Sequence, residues 1–141
     1  MIPEWQSRTA TVLGEEAVAR LGAAHVTVVG VGGVGGYAAE ILVRSGVGRI
    51  TVIDADCVAE SNINRQLIAT AQDVGSPKVE LFADRFRAIN PGIEVHAVRQ
   101  FVTPENVAEL IPADSDFVID AIDTVAPKVA LLIHCLRCGI G

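Results

Sequence analysis

Five glycines fall within the seven residues Gly30–Gly36, directly after the apolar run Val26–Val29. A helix-like pattern follows them, and a second apolar run closes on Asp54. This order predicts a strand, a glycine-rich turn, a crossover helix and a parallel second strand. Glycines let the backbone turn sharply and approach a ligand closely. The helix behind them presents unpaired N–H groups and the positive end of its dipole to an anion. Gly30, Gly32 and Gly35 satisfy G-x-G-x-x-G, with Gly33 inside the same turn. Asp54 lies 19 residues beyond Gly35. That is near the ~20-residue spacing at which a carboxylate holds a ribose hydroxyl. The segment therefore predicts a nucleotide site without saying which nucleotide. The usual ligand of such a turn is NAD or FAD; the blander reading is a packing turn with no ligand.

The rest of the composition narrows the class. At 141 residues the chain makes one domain, 1–141, with room for a real core. Half of its residues are hydrophobic and its mean hydropathy is +0.43. Parallel strands buried on both faces produce that bias. No apolar run approaches the ~18 residues of a membrane span. The N-terminal MIPEWQSR lacks the basic-then-apolar pattern of a secretory leader. A cytoplasmic enzyme with no membrane contact is the expectation. A formal charge of −6 offers no global field for nucleic acid, so any such contact has to be local. Cys57 stands alone, and Cys135 and Cys138 form a C-x-x-C without a second ligand pair. All three are expected to be structural thiols rather than metal ligands. His25, His96 and His134 are scattered and read as ordinary strand or helix residues.

Strands and helices alternate along the chain. One helix is predicted over 9–22, strands over 25–30, 49–54 and 93–98, and a fourth strand over Phe117–Ile122. The first crossover helix covers 33–45. Residues 57–75 read as a polar loop with a short helix. A long helix covers 77–89, capped by Ser76 with Pro77 at its first position. Thr103-Pro104-Glu105 starts another helix by the same logic. The last helix runs over 126–138, with Gly139 as its C-cap. The fold class is α/β: a Rossmann-like, doubly wound, mainly parallel sheet that stops after the fourth strand and its following helix.

In such sheets ligands bind beyond the carboxyl ends of the strands. Asp54 and Asp56 end the second strand, and Asp120 and Asp123 end or follow the fourth. Ser61–Gln66, SNINRQ, leaves the same edge. Lys78 is one of only two lysines in the chain. It sits in the first turn of a helix, where a cation opposes the dipole by roughly 0.3–1 kcal/mol. A phosphate between Lys78 and the helix would reconcile them; a solvated lysine is the alternative. Asp56, Arg65 and Asp123 could equally be solvated surface residues.

Taken together, these motifs resemble the adenylate-forming superfamily that includes ubiquitin-activating enzymes and the activators of bacterial sulfur-carrier proteins. The residues concerned are Arg8-Thr9, GVGGVGGYAAE, Asp54-x-Asp56, SNINRQ, VGSPKVE, INP and DAID. Arg8-Thr9 through Leu13-Gly14-Glu15, and Phe101–Asn106, place it nearest the tRNA threonylcarbamoyladenosine dehydratase branch. The resemblance covers nearly the whole chain in register.

The resemblance implies ATP with Mg2+ rather than NAD. It implies a glycine turn of Gly30, Gly32, Gly33 and Gly35 against the nucleotide, with Asp54 on the ribose and Asp56 close by. Asn62, Arg65 and Lys78 would contact the triphosphate. Asp123 would sit at the metal and the reacting phosphate. Arg8 would reach the ATP of the other subunit of a homodimer. Arg65, Asp123 and Arg8 are thus the implied catalytic residues. The implied reaction is adenylation of a carboxylate, in this branch leading to cyclising dehydration of threonylcarbamoyladenosine in tRNA. A sulfur-carrier protein is the alternative substrate, and a non-catalytic nucleotide-binding module the other class. Two departures stand out. Gly36 occupies a position where the family often has serine, and family members continue into a fifth strand and the rest of the substrate site.

Overall fold

The computed structural model describes residues 1–141. Four strands form one sheet: β1 His25–Val29, β2 Arg49–Ile53, β3 Glu94–Val98 and β4 Phe117–Asp120. The order is β3-β2-β1-β4 and every pairing is parallel. The chain winds outward from β1 in both directions, so the doubly wound expectation holds and the switch point lies between β1 and β4.

Six α-helices accompany the sheet: α1 Ser7–Leu13, α2 Glu15–Ala23, α3 Gly35–Ser45, α4 Lys78–Ile89, α5 Val107–Leu110 and α6 Val125–Cys138. Alternation along the strands divides the core in two. Val26, Val28, Ile50 and Val52 pack with Ala39 and Val43 of α3 and with Val79, Phe82 and Phe86 of α4. Val29 and Ile53 face the other way, onto Val107 of α5, Ile111 and Leu131 of α6. Both faces of the two central strands are therefore covered, which accounts for the apolar bias of the sequence.

Several boundaries differ from the sequence expectation, each for a local reason. The helix expected over 9–22 is two helices, because Gly14 takes φ +86° and turns the chain between them. The loop over 57–75 carries two short 3-10 turns, Glu60–Asn62 and Ala71–Asp73, not one helix. Ser76 does not cap α4; Pro77 is extended at the N-cap position and the helix starts at Lys78. The helix expected from Thr103 is one turn long and begins at Val107. Thr103 and Asn106 do bond each other reciprocally, as a cap and its third residue do, Asn106 Oδ1 accepting from the Thr103 N–H at 2.7 Å, but regular helix follows only after Asn106. Gly139 does end α6.

His25 is a structural strand residue. It is buried, with Nε2 2.9 Å from Thr51 Oγ1 and Nδ1 3.2 Å from Asp114 Oδ1. The three cysteines are free, and burial pushes the Cys135 thiol pKa up.

Glu40 ties α3 to α4. It is buried on α3, accepts from Arg44 Nε at 2.9 Å and from Arg85 Nη2 at 2.9 Å, and is bonded by Arg85 Nε as well. The Arg85 guanidinium holds the Glu40 carboxyl below its ordinary value. A lowered folded-state pKa means stability that is present at neutral pH and lost as pH falls through that lowered value. Glu40→Gln should therefore lower the urea midpoint at pH 7. The gap from wild type should close as the pH drops below the ordinary carboxylate value of 4.5. A gap that is constant with pH would show that the charge is not what Glu40 contributes.

Candidate functional site

The loops leaving the carboxyl ends of all four strands enclose one cleft of about 550 Å³. Gly30–Val34 follow β1, Asp54–Asp56 follow β2, Gln100–Val102 follow β3 and Ala121–Thr124 follow β4. Arg65, Gln66 and Lys78 close the remaining side.

The glycine turn is shaped by contact as much as by conformation. Gly30 has φ +90°, and a Cβ there would lie 2.6 Å from the Ala121 carbonyl oxygen. Gly35, the first residue of α3, presses directly on the Gly30 carbonyl, leaving no room for a Cβ at all. These approaches pull the start of α3 down between β1 and the loop after β4. The first turn of that helix leaves N–H groups without intrahelical acceptors, and it faces the cleft.

Asp54 fixes the turn from β2. Its Oδ2 accepts from the Val31 N–H at 2.9 Å and its Oδ1 from the Asp56 N–H at 2.8 Å. Each oxygen keeps a further lone pair, so the half-buried carboxylate can still receive a ligand hydroxyl. Asp56 is exposed, and its Oδ2 lies 3.6 Å from Lys78 Nζ.

Lys78 is the least expected residue of the site. It is only 4% exposed, so the solvated-lysine alternative fails. Burying an ammonium is costly unless it is paired. Its one carboxylate partner, Asp56, is long for an ion pair and half-exposed. The other lysine, Lys128, is already committed to Asp120, Nζ to Oδ2 at 2.7 Å. Lys78 is thus a desolvated cation on the wall of a cleft, beside the N-terminus of α4. The arrangement suits a polyanion.

Arg65 lines the rim with its guanidinium folded back, Nη1 donating to the Ser61 carbonyl at 2.8 Å and to Asn64 Oδ1 at 3.1 Å. Asp123 lines the cleft, exposed. Two other implied residues stand apart from it. Asn62 does not line the cleft; its Oδ1 accepts from the Ala59 N–H at 2.9 Å and closes the 3-10 turn. Arg8 is exposed on α1 and does not reach the cleft of its own chain.

The matching family model is the ThiF family, over residues 6–140. This chain belongs to the ThiF family. It is 48% identical over 136 residues to the tRNA threonylcarbamoyladenosine dehydratase of Escherichia coli, covering 94% of this chain and 51% of that protein. The Bacillus subtilis dehydratase is 46% identical over 131 residues, 93% of this chain and 52% of the relative. A sulfur carrier protein adenylyltransferase of Thermus thermophilus is 41% identical over 111 residues, 79% of this chain and 41% of the relative. The chain spans about half the length of the two dehydratases. Among solved structures, the Escherichia coli dehydratase TcdA in complex with ATP superimposes with a TM-score of 0.94. It is 47% identical, with 99% of this chain and 59% of that one covered. The same enzyme is also solved with AMP, at a TM-score of 0.93.

As a ThiF-family cleft, the site contains residues that motif spacing did not single out. Gln66 is buried on its wall, and Phe101, 67% exposed, stands at its mouth with Gln100 and Thr124. Gln66 and Phe101 belonged to segments already quoted for the resemblance. Nothing in their spacing marked them as facing a ligand.

Proposed function

We propose that this chain binds ATP and serves ATP-dependent adenylation of a carboxylate, that of the threonylcarbamoyladenosine of tRNA. The observation that carries the reading is Lys78, a buried cation without a close partner, on a cleft walled by a glycine turn. NAD offers a pyrophosphate to the turn but gives Lys78 and Arg65 together little to do. The nucleotide of the TcdA complex supplies the matching charge. Asp54 receives the ribose, and Arg65, Lys78 and the N-terminus of α3 receive the phosphates. The 3-10 turn held by Asn62 positions Arg65 for that contact.

Three carboxylates, Asp54, Asp56 and Asp123, share the cleft with two cations. A polyphosphate there needs further positive charge. Mg2+ suits the donor set, because it takes one or two carboxylates together with phosphate oxygens and waters. Asp123, exposed and uncommitted in the hydrogen-bond pattern, is the residue to hold it. When bound, the ion would offset charge on the reacting phosphate. The substrate carboxylate forms a bond to the α-phosphorus while the bond to pyrophosphate breaks. Arg65 and Lys78 stabilise the charge spreading on those oxygens, and no strong protein base is required.

Isothermal titration with Mg-ATP and with NAD tests the nucleotide. Tight ATP and weak NAD are expected; the reverse retires the proposal. Asp123→Ala should abolish carboxylate-dependent pyrophosphate exchange while leaving ATP binding within a few-fold, and retained exchange would move the metal to Asp54, Asp56 or Asp120. The 41% identity to a sulfur carrier protein adenylyltransferase sustains a second reading, in which a protein C-terminal carboxylate is activated. Comparing modified tRNA with a sulfur-carrier protein as the trigger for pyrophosphate release decides between them.

The enzyme works in the cytoplasm as a homodimer, with Arg8 reaching the partner's ATP. The position of Arg8, exposed and away from its own cleft, supports a role in trans. Mixing Arg8→Ala with Lys78→Ala chains should restore one intact site per mixed dimer. A monomer by light scattering at tens of micromolar, or no recovery on mixing, would end the dimer reading.

A further inference from the structure

Gln66 carries a signal that no motif supplied. It is 9% exposed and lines the cleft on the turn behind Arg65. Its Nε2 packs on Gly32, 3.6 Å from where a Cβ would stand. Its Oε1 is buried and has no hydrogen-bond partner, and no other buried side-chain nitrogen or oxygen in the chain is left in that condition. Apart from the Lys78 ammonium on the same cleft, buried polar groups find partners: His25 with Thr51 and Asp114, and Thr27 with Ser115 at 2.7 Å. An unpaired buried carbonyl is costly, so a lone exception on the wall of the cleft calls for an explanation.

The neighbours indicate the ligand chemistry. Gly32 and Gly33 leave the turn bare, and Arg65 Cγ would be 3.9 Å from a Cβ at Gly33. This is the end of the cleft to which the ATP reading assigns the phosphates. Phosphate only accepts, and the end of the carboxamide that stands beside Gly32 is Nε2, a donor with no partner in the chain, while the carbonyl oxygen is the enclosed end. We infer that Gln66 is a polyphosphate-contacting residue, its amide N–H donating to a phosphate oxygen of the bound nucleotide beside Arg65. The inference rests on the ATP reading above and adds a neutral donor to its two cations. A neutral donor can be buried at this position without the desolvation cost that Lys78 carries.

Gln66→Met keeps the length of the side chain and removes both hydrogen-bonding ends. By calorimetry it should raise the Kd for Mg-ATP about tenfold and leave adenosine within twofold. The melting temperature of the ligand-free chain should hold or rise, because the orphan is gone. Gln66→Glu should weaken ATP further than methionine does, since a carboxylate repels phosphate. A purely structural glutamine predicts a lower melting temperature for Gln66→Met and unchanged ATP affinity, and that result overturns the inference. Gln66→Glu binding ATP as tightly as wild type also overturns it, because the residue would then be accepting from a ligand hydroxyl or amino group. Inorganic tripolyphosphate, titrated in parallel, separates this failure from that of the ATP reading. If wild type binds tripolyphosphate and not ATP, the nucleotide assignment fails, and the loss on Gln66→Met still reports the phosphate contact.

Discussion

Gly35→Ala should cost the chain more than about 3 kcal/mol of stability, a loss of melting temperature on the order of 10 °C or outright failure to fold. The added methyl group has nowhere to go. It would overlap the Gly30 carbonyl oxygen and stand 2.9 Å from the Ala121 Cβ. Neither neighbour is the far end of a flexible side chain. Gly30 is held by its N–H bond to the Ile53 carbonyl at 2.8 Å, and Ala121 by its N–H bond to the Val29 carbonyl at 2.9 Å. Relief would require prising α3 off the switch point, which breaks the sheet–helix packing and the glycine-turn end of the cleft together. A helix propensity argument alone predicts the opposite sign, since alanine is favoured over glycine in a helix by about 1 kcal/mol. Thermal melts followed by circular dichroism decide between them. A stable Gly35→Ala protein would show that the close approach of α3 to β1 does not exist in solution.

Lys78→Met should raise the Kd for Mg-ATP by a factor of roughly 10–150, while adenosine binds within twofold of wild type. The range follows from the 1.5–3 kcal/mol typical of a hydrogen bond to a charged group and from about 1.4 kcal/mol per tenfold. Calorimetry with both ligands reads it directly. The substitution should also leave the ligand-free chain as stable as before, or more so. Lys78 is desolvated and its only ion-pair partner, Asp56, lies 3.6 Å away, so a methionine stem fills the same volume without the cost of the charge. Stability held while phosphate affinity falls is the signature of a residue kept for its ligand. Equal losses for ATP and adenosine would assign Lys78 to the architecture of the cleft, and the triphosphate reading would lose its main support.

Much of this was legible from the chain order of residue types. Strand, glycine turn, helix and strand occur at Ala24–Asp56, as the apolar periodicity predicts, and Asp54 ends up bonded to the turn that its spacing places opposite it. That information is local: alternation and glycine spacing act over a few residues, and the parallel crossover leaves little topological choice. Boundaries were less legible where one residue decides. Gly14 splits a helix whose apolar pattern runs straight through it, and the turn that Thr103 and Asn106 close together passes into regular helix only at Val107. The carboxylates were legible as strand-end residues, but their division of labour was not. Asp120 is spent on Lys128, and Asp123 is left to the cleft.

The sequence by itself determined the kind of site, a glycine-turn cleft at the carboxyl edge of a parallel sheet, with Asp54, Arg65, Lys78 and Asp123 beside it. Only the tertiary structure decided that Lys78 is buried, that Asn62 closes its own turn and that Gln66 is left unpaired on the cleft wall. The physical reason is that burial and hydrogen-bond satisfaction are set by groups distant in the chain. Gln66 meets Gly32, and Lys78 meets Asp56, only once α3 and α4 have packed on the same face of the sheet. No periodicity in a single segment can record what a folded neighbour does or does not offer it.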